Sequence, residues 1–561
     1  MKILNSTAAP LFAVIFCLSQ VAAAEESPDH AERVRRSTAV ALNYCRAALH
    51  RIRRNPEKHI FYEEQTRILN NLDLNQIEDP EVIALYKSIL DEISLVEIDE
   101  RERIVIREQF RRNTHRQLGT SFFVIGAQVA TGQLGSAVQS GANSWWDYRN
   151  QEVRRDADQW KVEKNEFTSL MNRSSTFLDS FWRLSQKNHI PDRWLIRDQD
   201  LDQLGRVLAE QNAEQRLRML NRMERFMECY PPYWYYVART QQQLGQAEEA
   251  LKTYHRLTEV GSGHFRQDDM LASSMANMAL LQELQGNPDA ALTALRVSDY
   301  SIRNWEANLV CAWVLGRHQN FAAAEELILC NLDEDEETRQ SRVALASLYY
   351  HSENPTRLAR LLSDEQVVRD IPIPGLLLSA RLLGADRMPA AARAYLASTL
   401  SASVRTLSRS ETVILAATPG WKLRDAQPQV AAASGPFRAL GFRPGSMNDQ
   451  AEFVSEQVTD EADSDTREIR VTLSYPATPV IHITLNRTAV AKPAFPVSRV
   501  PFANTLTRSA VPGFAGSEVR YEVGEIELDG VRLSFRDQSI DDARVEDGEK
   551  EVSAEETTRR L

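Results

Sequence analysis

The chain has 561 residues, 43% apolar and 26% charged, with a formal net charge of −12. That length excludes a single ordinary core, and the composition excludes a disordered chain. The acidic balance excludes general nucleic-acid binding.

Residues 1–24 carry one charge, Lys2, ahead of the apolar run Leu11–Leu18 and the small residues Ala22, Ala23 and Ala24. This order reads as a secretory signal peptide, so the expected location is the periplasm or cell envelope. The run is shorter than the ~20 apolar residues that a membrane span needs. Beyond it lie Cys45, Cys229, Cys311 and Cys330. Their wide spacing argues against a metal site, and an oxidising compartment leaves both thiols and bridges open.

Residues 25–205 read as an N-terminal helical region. Val34, Val40, Leu42, Cys45 and Leu49 form one broken apolar stripe, and Val82, Leu85, Leu90, Ile93 and Val96 form another. Within this region, 117–146 contains no Asp, Glu, Lys or Arg. Phe122, Phe123, Val124 and Ile125 open the segment and Trp145 and Trp146 close it. Lines of small residues between them let helix backbones touch, in a soluble bundle or at a membrane. The segment is expected to be a helical hairpin or broken helix, with those four apolar residues as its candidate membrane contact.

Residues 206–410 repeat. Ala238 is followed 12 residues later by Ala250 and 4 later by Tyr254. The same spacing gives Ala279, Ala291 and Leu295, then Ala312, Ala324 and Ile328. Looser copies are Ala346, Leu358 and Leu362, and Ser379, Ala391 and Tyr395. Successive copies begin 41, 33, 34 and 33 residues apart. Small residues on two consecutive helices let them approach closely, and the larger residue one turn on fills the groove. Each unit is thus predicted to be a helical hairpin that buries its apolar face only by stacking.

Trp234, the turn residue Gly245, Ala250 and Tyr254 carry a resemblance to tetratricopeptide repeats over about residues 206–400. The chain departs from that pattern at Gln241, Gln282 and Leu315, where an aromatic is usual. The resemblance implies an α-solenoid whose first helices line a concave face that binds a protein or peptide. On that basis Tyr235, Arg239, Gln242, Trp313, Arg317 and Tyr350 are the candidate binding residues, with Leu280 and His351 beside them. Cys311 and Cys330 fall on the two helices of one repeat. Cys330, two residues past Ile328, points away from its partner helix, so no bridge is expected between them.

Residues 411–465 read as a linker, interrupted by Pro, Gly and Ala and ending in acidic residues. Period-two alternation then appears at Ile469, Val471, Leu473 and Tyr475, at Ile481, Ile483 and Leu485, and at Val519, Tyr521 and Val523. Gly524 reads as a bulge. Asp529-Gly530, between Leu528 and Val531, reads as a hairpin turn. A small antiparallel β domain is predicted over 466–537, followed by an acidic tail at 538–561.

The sequence contains no HExxH, no GxSxG, no phosphate-binding glycine loop and no paired-cysteine metal pattern. The expected fold class is mainly α: a solenoid of tetratricopeptide-like hairpins, an N-terminal long-helix region and a C-terminal antiparallel β domain. The expected function is a non-enzymatic exported scaffold without cofactor or metal. It binds a protein or peptide on the array, with the β domain as a second contact surface. The alternative is a membrane-associated assembly or pore-like factor that inserts 117–146.

Overall fold

The computed structural model describes residues 28–55, 57–67, 73, 79–94, 142, 178–334, 337–407, 410–433, 435–443, 449–455, 468–475, 479–488 and 518–535. The predicted signal peptide at 1–24, the candidate membrane contact Phe122 to Ile125 and the acidic tail at 538–561 lie outside the described residues. So does all of 117–146 except Ala142. The chain forms two compact units, one of residues 1–114 with 145–274 and one of 115–144 with 275–561.

The first unit contains α1 (Pro28–Arg54), α2 (Lys58–Gln65), α3 (Pro80–Ser94), a helical stretch over 178–187, α4 (Asp198–Leu208) and α5 (Ala213–Met227). It continues with α6 (Pro231–Gln243), α7 (Ala247–Gly261) and the start of α8 (Asp269–Leu284). Residues 38–46 of α1 are buried without interruption. A helix buried on every side is an interior helix rather than a surface one. Asn43 serves it as a polar anchor. Its Nδ2 donates to the carbonyls of Trp194 (2.7 Å) and Cys229 (2.9 Å), and its Oδ1 accepts from the Ile196 N–H (3.0 Å). A buried amide so engaged has little desolvation cost left uncompensated.

Helical hairpins occupy most of the predicted repeat region. After α6–α7 come α8 with α9 (Ala290–Leu295), α10 (Trp305–Arg317) with α11 (Phe321–Asp333), and α12 (Thr338–His351) with α13 (Pro355–Leu361). The short α14 (Glu365–Asp370) precedes α15 (Ile373–Arg387) and α16 (Ala390–Ser398). In the second unit consecutive hairpins touch, α9 against α10 and α11 against α12.

The first four hairpins turn in one way. Gly245, Gly286, Gln319 and Glu353 all have positive φ, between 50° and 75°. After each, the next N–H reaches back five residues to a carbonyl: Gln246 to Gln241, Asn287 to Gln282, Asn320 to Leu315 and Asn354 to Tyr349, each at 2.9 Å. This is the Schellman helix stop, which satisfies carbonyls orphaned at the helix end. Glycine takes the left-handed conformation freely; Gln319 and Glu353 hold it against the Cβ clash.

The predicted spacing holds in three hairpins and slips in two. Ala238, Ala250 and Tyr254 are buried, as are Ala312, Ala324 and Ile328, and Ala346, Leu358 and Leu362. In the second hairpin Ala290 and Ala294 are buried, whereas Ala291 is half-buried and Leu295 exposed. Pro288 and Asp289 there lie in a turn, so the helical phase starts at Ala290. In the fifth, Ala392 and Leu396 replace Ala391 and Tyr395 in the core. Gly384 (φ 71°) interrupts α15, and Pro389 caps α16 in extended conformation, which resets the phase.

The β domain begins earlier than predicted. β1 (Leu400–Leu407), β2 (Ser410–Ala417), β3 (Gln429–Ala432), β4 (Gly435–Arg443) and β5 (Asp449–Val454) precede β6 (Glu468–Leu473), β7 (Ile481–Arg487), β8 (Glu518–Leu528) and β9 (Val531–Ser534). The stretch 411–465 is therefore not a linker, and β1 ends the helical region at 400 rather than 410. Alternation is present in β1 (Leu400, Ala402, Val404) and β2 (Val413, Leu415, Ala417), but small side chains carry part of it.

The strand order β1-β2-β5-β4-β3-β6-β7-β8 closes through a β1–β8 pairing into an eight-stranded antiparallel barrel, with β9 added beside β8. The interior is filled by residues such as Val413, Leu415, Phe453, Ile469, Val471, Ile483, Leu485 and Tyr521. Buried Trp421 donates its indole N–H to Thr399 Oγ1 (2.9 Å), and its carbonyl accepts the Tyr475 hydroxyl. Gly524 is the bulge expected from sequence: Thr484 pairs with Glu525 and Leu485 with Val523. A Cβ on Gly524 would fall 2.0 Å from Asn486 Nδ2, so any larger residue there requires the Asn486 side chain to move. Asp529 and Gly530, both at positive φ, form the β8–β9 turn. The last helical pair packs on this end of the barrel, α15 against β9 and α16 against β8, and Arg381 pairs with Asp529 (2.9 Å).

Candidate protein-binding surface

The six residues expected to bind a partner separate into two groups. Tyr235 and Gln242 are fully buried inside the first hairpin, and Leu280 is buried in the second. Gln242 Oε1 accepts the Tyr254 hydroxyl at 2.8 Å, and Gln241 Oε1 accepts the Thr253 hydroxyl at 2.7 Å. Both bonds join residues 12 apart, the interval that also pairs Ala238 with Ala250. That interval was the signal that Gln242 faces its own second helix, because a buried phenol needs a polar partner. Arg239 is half-buried and already engaged.

Trp313, Arg317 and Tyr350 do reach the surface of the second unit. Arg317 stacks its guanidinium over the Trp313 ring, 5.3 Å from the centroid, and pairs with Glu283 at the end of α8. His318 Nε2 lies 2.8 Å from the other Glu283 oxygen. Two hairpins are thus tied by one carboxylate with two partners. A parallel tie joins the next pair, where Glu325 of α11 meets Arg357 of α13 and accepts the Tyr349 hydroxyl at 2.7 Å.

Leu284, Arg317 and His351 are all exposed and each lies two residues before a left-handed turn residue. They form one repeated position. Trp313 beneath Arg317 and Tyr350 beside His351 supply aromatic area next to it (ring centroids 5.3 Å apart for Tyr350 and His351). Aromatic and arginine side chains on a rigid helical frame are the usual anchors of a protein interface. The sequence did not single out Leu284, whose position becomes evident only from the turn phase.

Helix α8 has a further neighbour in this unit. Ala142, the one described residue of the charge-free segment, is buried and donates its N–H to Asn277 Oδ1 at 2.7 Å. Asn277 is itself buried, within a stretch of α8 from Met270 to Gln282 that carries no charge.

The first unit holds a buried polar cluster around Tyr44. Arg67 lies over the Tyr44 and Phe265 rings at 5.1 and 5.6 Å, and His264 lies 6.4 Å from Tyr44. Burial pushes Asp268 up to about 6 and His264 down to about 4. Asp268 also caps α8 through the Leu271 N–H (3.0 Å). Tyr44, His264 and Asp268 are shut off from solvent, so the arrangement is a titrating core rather than a site open to substrate.

Cys45, Cys229, Cys311 and Cys330 are free thiols, and burial raises each above the ordinary thiol range. A raised thiol is a poor nucleophile. Among the described residues, no cluster of three His, Cys, Asp or Glu could hold a metal ion, and no helix is long and apolar enough to cross a membrane. No protein-family model, curated protein or solved structure matches the chain.

Proposed function

We propose that this chain is an exported, non-enzymatic scaffold that binds a protein or peptide along tetratricopeptide-like helical hairpins. The observation that carries the reading is the repeated exposed position Leu284, Arg317 and His351, flanked by Trp313 and Tyr350. Its support is the shared turn at Gly245, Gly286, Gln319 and Glu353, spaced 41, 33 and 34 residues apart, the repeat intervals of the sequence. A repeated turn of this kind gives each hairpin the same frame, so equivalent side chains recur along one surface. Export rests on the signal-like residues 1–24.

Arg317 is the anchor of this surface. Glu283 neutralises part of its charge and fixes the guanidinium above Trp313, which lowers the ordering cost when a partner docks. Ala142 itself is buried against protein, donating its N–H to Asn277.

The test is affinity capture from an envelope extract of the source cells. The mature protein is compared with a variant carrying Trp313→Ala and Arg317→Glu. A species retained by the wild type and lost with the variant, at unchanged helical circular dichroism, supports the reading. Equal retention by both proteins contradicts it.

A further inference from the structure

Leu284, Arg317 and His351 hold one position in three consecutive hairpins, 33 and 34 residues apart. The first helices that carry them are neighbours. Arg317 of α10 pairs with Glu283 of α8, and α10 touches α12. Packed helices stand about 8–10 Å apart. An extended ligand crossing the three helix ends therefore meets an equivalent side chain once in that interval.

The interval selects a backbone. A polyproline II helix rises about 3.1 Å per residue with three residues per turn, so it presents one face every ~9 Å. A β-strand covers roughly 10 Å in three residues, but its period of two turns that third side chain to the opposite face. An α-helix returns to one face after seven residues, about 10.5 Å, with its carbonyls already bonded inside the helix. The surface offers donors as well as ring faces. Half-buried Trp313 lies under Arg317, and half-buried Tyr350 stands edge-on to His351. An indole N–H and a phenol O–H beside aromatic faces suit a backbone that makes no internal hydrogen bonds. The ions here meet one another, Arg317 with Glu283 and Arg357 with Glu325. Charges already paired within the protein complement an uncharged ligand better than a charged one.

We propose that this surface takes a proline-rich segment of another protein in polyproline II conformation, with an apolar residue at every third position. The prolines between those positions fix the conformation before binding, which reduces the ordering cost. Trp313 and Tyr350 receive the pyrrolidine rings and donate to the backbone carbonyls. The proposal rests on the reading of these hairpins as a protein-binding surface and names the chemistry of the partner.

The probe is a fluorescent peptide of four Pro-Pro-Leu repeats, added to the full mature chain. One control has Gly-Gly-Leu repeats, which keep the spacing but not the conformation. A second has the same prolines and leucines with the leucines gathered at one end. The repeat peptide is expected to bind about ten-fold tighter or more than either control. Trp313→Ala with Tyr350→Ala should abolish that difference at unchanged helical circular dichroism. Should this variant unfold, amide hydrogen exchange on the wild type decides, with peptide-dependent protection expected at 284–286, 317–319 and 351–353. Equal affinity for the three peptides, or no protection at those turns, overturns the proposal. If that result accompanies a captured species that Trp313→Ala with Arg317→Glu loses, the protein-binding reading stands and only the proline-rich chemistry falls. Tighter binding of a helical peptide with leucines seven residues apart overturns the proposal in favour of a helical partner.

Discussion

The helical hairpins of residues 231–361 and the barrel of 400–534 solve the same problem differently. The first hairpin is joined by contacts 12 residues apart in sequence, Gln241 to Thr253 and Gln242 to Tyr254, and the first four hairpins share a left-handed turn. The barrel relies on pairing between distant strands, such as β1 with β8, more than 100 residues away. A local device leaves a repeated mark on the sequence. A closed sheet leaves only alternation, which fades wherever a strand uses alanine and serine.

Mutations can break this comparison at either end. The largest effect is expected in the barrel, where removal of the Trp421 side chain takes out a fully buried indole and its hydrogen bond to Thr399. Trp421→Ala should cost roughly 3–5 kcal/mol in urea unfolding, with loss of the sheet ahead of the helices. Unchanged stability would mean that the barrel does not close around that residue.

Next in size is a pH effect in the first unit, on the order of 3 kcal/mol for each group at about two units of pKa change. Asp268 has a folded pKa near 6, raised from its ordinary value of 3.8. Its protonation stabilises the fold fully below the ordinary value, and this is lost as pH rises through 6. His264 has a folded pKa near 4, lowered from 6.5. Its neutral form stabilises the fold above 6.5, and this is lost as pH falls through 4. The two trends oppose one another between pH 4 and 6. Asp268→Asn should therefore make stability fall more steeply on acidification, and His264→Phe should reverse the trend. Urea midpoints at pH 7, 5.5 and 4 would show it; parallel curves for all three proteins would refute the pairing.

A smaller effect sharpens the register of the second hairpin. Ala290→Leu overpacks a buried position and should cost roughly 1–3 kcal/mol. Ala291→Leu, at the half-buried neighbour, should cost less. The reverse order in thermal unfolding would restore the phase read from the bare spacing of 12.

The sequence alone made the hairpins, the turn at Gly245, the Gly524 bulge and the Asp529-Gly530 turn legible, because each has a local steric cause. It did not disclose the phase slips at Ala290 and Ala392. Those follow from Pro288 and Gly384, whose effect on helical phase depends on where the next helix begins. Strands β1 to β5 were hidden because Thr418-Pro419-Gly420 and Ala433-Ser434-Gly435-Pro436 read as linker composition, although Pro419 and Gly420 open a short 3-10 helix and Gly435 and Pro436 begin β4. Tyr235 and Gln242 were misplaced for a related reason. Their position on a first helix suggested a binding face, while the 12-residue interval to Tyr254 pointed Gln242 inward. Arg317 is exposed, and Trp313 and Tyr350 are half-buried. Leu284 needed the turn geometry.

The claim that the first four hairpins are one repeated unit rests on their common left-handed residue, and it can be tested at that residue. Gln319→Gly and Glu353→Gly relieve a Cβ clash at positive φ, and each should raise stability by roughly 0.5–1 kcal/mol. Gly286→Ala introduces the clash and should lower stability by about 1 kcal/mol. Side-by-side urea unfolding of the three variants is the most direct measurement. Two gains and one loss are the result predicted by a shared turn; a loss of stability in Gln319→Gly and Glu353→Gly would contradict it.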